Sequence, residues 1–184
     1  MVAEAVKEVG RLKLNPAKVD RLFWNHDKAG VFRCLFSELS NYSSLDLCPV
    51  FRVSGVKFGN KAACGGALFL KDGTIGAMLS GPVSCNEYIV VDISAVKEAL
   101  EMLKLAGWTK SWVVVLEIES KILLNCLANS SQRPWGLSKL LAHIDVLVCD
   151  LSINFRHILK DQNKMATYLA QNGLNKSERF QAWW

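Results

Sequence analysis

The run Trp112-Val-Val-Val-Leu-Glu-Ile118 constrains the fold more than any other segment of the chain. It has strand length and is apolar along almost its whole course, without the alternation of a half-exposed strand. Such a strand is covered on both sides, as in sheets that carry helices on each face. A second signal supplies its neighbours. Cys64-Gly-Gly-Ala-Leu-Phe-Leu70 and Thr74-Ile-Gly-Ala-Met-Leu79 flank Lys71-Asp-Gly73. Asp-Gly between two β-prone runs predicts a hairpin, and Val50-Phe-Arg-Val53 reads as a strand before it.

Helical periodicity fills the remainder. Over roughly residues 91–106, Val96, Ala99, Leu100 and Leu103 share one face, with Lys97, Glu98, Glu101 and Lys104 opposite. Gly107 supplies the stop. Ser120 caps a helix running to about Leu127, and another covers Trp135–Val148 after Pro134. Leu151–Ile158 reads as a last strand, and Asn163–Asn172 as a last helix ending at Gly173. Three strands, helix, strand, two helices, strand, helix is an α/β order: a mixed sheet with helices on its faces.

Composition sets the bounds. With 184 residues, 51 % apolar and 21 % charged, the chain suffices for one domain with a genuine core. No apolar run approaches the ~18 residues of a membrane span, so no membrane partner is expected. Glu4, Lys7 and Glu8 interrupt the stretch a signal peptide would need, so secretion is not expected. The cysteines at 34, 48, 64, 85, 126 and 149 never form CxxC and read as reduced thiols of a cytosolic or nuclear protein. Residues 1–48 read as an N-terminal extension with two or three short helices, one from Pro16 through about Asp27; residues 49–184 form the main domain. The extension holds 7 basic and 6 acidic residues and the domain 15 and 11, so most of the net +5 sits in the domain. That balance permits polyanion binding without requiring it.

Three acids and a histidine stand out. Asp92 lies four residues before Val96 and seven before Ala99, on the buried stripe of its helix. An unpaired carboxylate there is costly, so Asp92 is either the N-cap or an acid aimed at a metal. Glu117 and Glu119 end the apolar strand, two apart and on one side if the strand continues that far. Ligands gather at the carboxyl ends of such strands, although a solvated strand end gives the same pattern. His157 and Asn163 lie between the last strand and helix, where His157 reads as a structural histidine or a proton shuttle and Asn163 as a helix cap.

Taken together, these stretches resemble the ribonuclease H fold, and specifically the plant group of small RNase H-like domains related to retroelements. The resemblance covers about residues 50–173. It rests on Phe51-Arg-Val-Ser-Gly-Val-Lys-Phe-Gly-Asn60 with Cys64-Gly-Gly66, and on Val91-Asp-Ile-Ser-Ala-Val-Lys-Glu-Ala-Leu100. Val115-Leu-Glu-Ile-Glu-Ser-Lys121 and the long match from His157 through Asn163 to Ala170 complete it. It implies a ribonuclease H-like mixed five-stranded sheet flanked by helices, after the N-terminal helical extension.

In that family four acids hold two magnesium ions that drive hydrolysis of an RNA phosphodiester. Carried over by the resemblance, the four positions are Ser54, Asp92, Glu119 and Thr167, none with the family's own residue. The implied function is a metal-dependent endoribonuclease, with Mg²⁺ or Mn²⁺ on Asp92, Glu119, Ser54 and Thr167, Glu117 as a third acid, and His157 aiding product release. The alternative is a domain that has lost cleavage and binds a nucleic-acid duplex or a protein partner. Lys57, Gly59, Asn60, Lys61, Lys160, Asn163 and Lys164 lie where the family touches the backbone of its duplex, an RNA–DNA hybrid. Double-stranded RNA is a second candidate substrate, and defence against RNA viruses is the biological role that it suggests.

Overall fold

The structure, a computed structural model, describes residues 48–85, 87–107 and 112–184. The helices expected within residues 1–47, including Pro16–Asp27, lie outside the described residues. Three antiparallel strands open the fold: β1 (Val50–Phe58), β2 (Lys61–Phe69) and β3 (Ile75–Val83). The β2–β3 turn falls at Lys71-Asp-Gly73, with Gly73 at φ 79° and Asp72 Oδ1 accepting from the Thr74 amide. Then come α1 (Tyr88–Ala106), β4 (Val114–Ile118), α2 (Lys121–Ala128), α3 (Ser138–Cys149), β5 (Ile153–His157), α4 (Lys164–Gly173) and β6 (Phe180–Trp183). β4 pairs parallel to β1, and β5 parallel to β4.

The sheet order is β5-β4-β1-β2-β3-β6. The sheet therefore has six strands, one more than expected. β6 adds to β3 antiparallel, and α1 holds it there: Glu98, 4 % exposed, pairs with Arg179 and accepts from Gln181. Glu98 was expected on the solvent face of its helix. Its partners arrive with β6, Gln181 on the strand and Arg179 just before it, and the sequence pattern does not announce that strand. β4 is buried at all five residues, as its composition required. Among the described residues, no helix is long and apolar enough to cross a membrane. The five described cysteines are free, and burial first, then Glu98, pushes the Cys64 thiol up to about 11. That thiol is an inert core filler.

α1 and α4 cover opposite faces of the first hairpin, and each reaches it over a glycine. A Cβ on Gly55 of β1 would sit 2.6 Å from Asp92 Oδ1 and 3.0 Å from the α1 backbone. A Cβ on Gly65 of β2 would sit 2.2 Å from the Ala170 amide nitrogen of α4. Consecutive strand residues face opposite ways, so β1 shows Gly55 to α1 and Ser54, paired with Gly65, to α4.

Gly65→Ala forces rigid backbone apart and is expected to destabilise the fold by about 3 kcal/mol in denaturant unfolding. Gly136→Ala, where nothing lies within 4 Å of the added carbon, is expected to stay within about 0.5 kcal/mol of wild type.

Candidate functional site

The two close approaches bring five side chains to one end of the sheet. β1 and β4 run in register, Arg52 beside Glu117, so two residues further on Ser54 comes alongside Glu119, just past the end of β4. From the α4 side, Ser54 Oγ lies 3.3 Å from Thr167 Oγ1, which donates to Glu119 Oε1 at 3.3 Å and to the Asn163 carbonyl at 3.0 Å. Asn163 is 0 % exposed; its Nδ2 donates to the Val53 carbonyl at 2.9 Å and to Glu119 Oε1 at 2.7 Å. Its side chain makes no cap bond to α4, so the capping role expected of it is not the one it has. Nor is it a surface contact for a nucleic-acid backbone, because it is buried.

Asp92 arrives from the other face. α1 begins at Tyr88, so Asp92 is its fifth residue, and the N-cap position belongs to Glu87. The N-cap alternative therefore falls. Asp92 is half-buried beside Gly55, whose backbone amide it accepts from. Burial raises its carboxyl pKa to about 6; the Glu119 charge adds to the rise and the Gly55 amide offsets part of it. Positions 54, 92, 119 and 167 thus converge from three chain segments and one strand.

Glu117 does not join them. It is 5 % exposed and its carboxylate is taken from both sides: Arg52 Nε at 2.8 Å on one oxygen, Arg156 Nε at 2.9 Å and its Nη2 at 2.7 Å on the other. The three residues are cross-strand neighbours on β1, β4 and β5. A doubly paired carboxylate is a poor third acid for the cluster, which corrects the expectation for Glu117. His157, half-buried at the end of β5, places Nε2 3.2 Å from the Glu119 carbonyl, not its carboxylate.

The basic residues flank the cluster. Gly59 and Asn60 form the β1–β2 turn, with Gly59 at φ 58°, between Lys57 of β1 and Lys61 of β2, and Lys160 and Lys164 stand exposed before and at the start of α4. Two aromatics unforeseen in the sequence join the turn. Phe58 is 79 % and Tyr88 67 % exposed, and Lys57 Nζ lies 5.4 Å over the Tyr88 ring. The one sequence signal for Phe58 is an aromatic directly before a Gly-Asn turn, where no core remains to receive it.

The sequence pattern of a family described as reverse transcriptase-like matches residues 52–173. The chain belongs to the reverse transcriptase-like family. No curated protein matches it. Among solved structures, RNase H1 from the halophilic archaeon Halobacterium salinarum is 21 % identical with a TM-score of 0.63, covering 69 % of this chain and 97 % of that one. LC11-RNase H1, isolated from compost by a metagenomic approach, is 19 % identical with a TM-score of 0.65, covering 71 % and 98 %. The same LC11 enzyme in complex with RNA/DNA hybrid is 20 % identical with a TM-score of 0.62, covering 70 % and 98 %. The fold of this reverse transcriptase-like domain is therefore the ribonuclease H fold.

The RNase H-like family generally uses divalent metals, and this domain's residues can be tested against two such ions. Two ions bring four positive charges. The cluster offers two carboxylates, and one oxygen of Glu119 already accepts from Asn163 and Thr167. The other two positions hold hydroxyls, which carry no charge and whose protons are engaged with each other and with Glu119. Asn163 Oδ1, buried without a partner, adds one neutral acceptor, which does not replace two lost charges. Among the described residues, no three His, Cys, Asp or Glu side chains gather as a metal-holding group. The residues present do not fit a two-metal centre.

Two outcomes follow for this reverse transcriptase-like domain. The Asp92 pKa lies higher folded than unfolded, about 6 against its ordinary 3.8. The carboxyl's contribution is favourable below pH ~4, is lost as pH rises to ~6, and is constant above, by roughly 3 kcal/mol at most. Unfolding free energies of Asp92→Asn are expected to lack that fall between pH 4 and 6. Glu117→Gln strips two half-buried guanidinium groups of their charge partner and is expected to destabilise by about 2–3 kcal/mol in denaturant melts.

Proposed function

We propose that the domain binds RNA-containing duplexes through their sugar-phosphate backbone and does not cut them by two-metal hydrolysis. The observation that carries this reading is the cluster at the sheet end, where Asn163 and Thr167, the latter backed by Ser54, meet Glu119 with neutral donors, while lysines stand by the β1–β2 turn and at the start of α4. A-form duplexes are recognised across a wide minor groove by phosphate and 2′-hydroxyl contacts, largely without sequence reading. Lys57, Lys61, Lys160 and Lys164 supply the charge, and the Gly59-Asn60 turn brings backbone close. The structure of LC11-RNase H1 with RNA/DNA hybrid and that of the foamy viral protease-reverse transcriptase with RNA/DNA hybrid give this fold precedents for such a partner. The reading includes the finer resemblance, a plant-type RNase H-like domain with all four acid positions substituted.

A second reading has one observation in its favour. Asp92 and Glu119 stay within each other's electrostatic field, as partners in catalysis would. On that reading the domain is an endoribonuclease acting with Mg²⁺ or Mn²⁺ on double-stranded RNA or hybrid, in defence against RNA viruses.

Fluorescence anisotropy with labelled RNA/DNA hybrid, double-stranded RNA and double-stranded DNA, across a salt series, tests the binding reading. Replacing Lys61, Lys160 and Lys164 together by Ala is expected to weaken binding about equally for different sequences and to lower the salt slope by about 2–3. Cleavage of either RNA duplex that Asp92→Asn and Glu119→Gln each abolish would replace the binding reading by the nuclease one.

A further inference from the structure

The cluster's protons can be counted. Asn163 has two amide hydrogens, and both are placed: one on the Val53 carbonyl of β1, one on Glu119 Oε1 after β4. Thr167 has a single hydroxyl hydrogen, shared between Glu119 Oε1 and the Asn163 carbonyl. That leaves Ser54 as the donor in its contact with Thr167. The chain of donors runs from Ser54 through Thr167 to Glu119, and Asn163 feeds the same carboxylate oxygen from a second side. β1, the end of β4 and α4 are thereby tied to one another at one point.

A cation shared by acids on these same elements would make the same ties through oxygens of opposite charge. Here the ties consist of hydrogen bonds from neutral groups. The two arrangements exclude one another in part, because an oxygen already taking two donors offers little to a magnesium ion that demands near-ideal octahedral geometry.

We infer that the hydrogen bonds among Ser54, Thr167, Asn163 and Glu119 do the joining that a divalent cation does between acids on these elements, so that the domain folds and binds duplex free of divalent cation. The folding half of this inference stands on the geometry alone; the binding half rests on the function proposed above.

Thermal unfolding of the full chain in EDTA and in about 10 mM Mg²⁺ or Mn²⁺ tests it, with isothermal titration of each ion alone as the second readout. Wild-type midpoints are expected to agree within about 1 °C, with no heat of binding, because only a ligand of the native state moves the midpoint. Thr167→Val removes a donor and is expected to lower the midpoint by about 3–6 °C in every buffer. Ser54→Asp with Thr167→Asp restores four acids. Its midpoint is expected to fall by about 5 °C or more in EDTA and to recover with Mg²⁺. Should that double variant fail to fold, the wild-type and Thr167→Val measurements decide. A rise of several degrees for wild type in Mg²⁺, or a titratable heat, overturns the inference.

Repeating the duplex anisotropy in EDTA separates the two claims. Binding that vanishes in EDTA and returns with Mg²⁺ overturns this inference and leaves the proposed function standing. No binding in any buffer, with midpoints indifferent to the ion, overturns the proposed function and leaves the folding half intact.

Discussion

Backbone must meet backbone for this sheet end to exist. α1 and α4 approach one hairpin from opposite faces, and each contact is closed by a residue lacking a side chain, Gly55 on one side and Gly65 on the other. The first approach seats Asp92 against β1, and the second lays Thr167 over Ser54. Were either helix lifted by the thickness of a methyl group, hydrogen bonds of 2.7–3.3 Å would open and the carboxylates would lose their common setting. The site is thus a by-product of tight layer packing more than of any one polar residue.

Glu117 and Glu119 show how neighbouring carboxylates are accommodated differently. Glu117 sits in mid-strand, where cross-strand register delivers one guanidinium from each side. Its charge is balanced and its oxygens are spoken for. Glu119 lies past the strand end, where no register applies. It is met instead by an amide and a hydroxyl from the start of α4, so its charge is solvated but not cancelled. The negative field left over reaches Asp92, which makes this end of the sheet, rather than the half-buried arginine pair, the place where a proton is retained.

Much of the architecture was legible because it depends on local pattern. The apolar run at 112–118, the Asp-Gly turn and the 3.6-residue stripe in α1 each name their element without help from distant residues. Cores and caps followed, Ser120 accepting from Leu123 as expected. What escaped was set by register or by returning chain. The Arg52–Glu117–Arg156 row becomes visible only when three strands are aligned. Glu98 looks like a surface residue in the sequence because its partners lie more than eighty positions away, on a strand of four residues and the residue just before it. Asn163 reads as a cap in the sequence because it precedes a helix, whereas its amide spans from β1 to Glu119.

The added strand has a consequence for the solution behaviour of the chain. β3 is nine residues long and, without β6, would form the margin of the sheet with a row of open amides and carbonyls. Such a margin is a template on which other chains can nucleate. The short strand Phe180–Trp183 closes four of its positions, from Ala77 to Ser80, and Glu98 anchors the closure from beneath. The margin of the sheet is thereby a strand of four residues in place of one of nine, which gives an incoming chain less backbone to pair with.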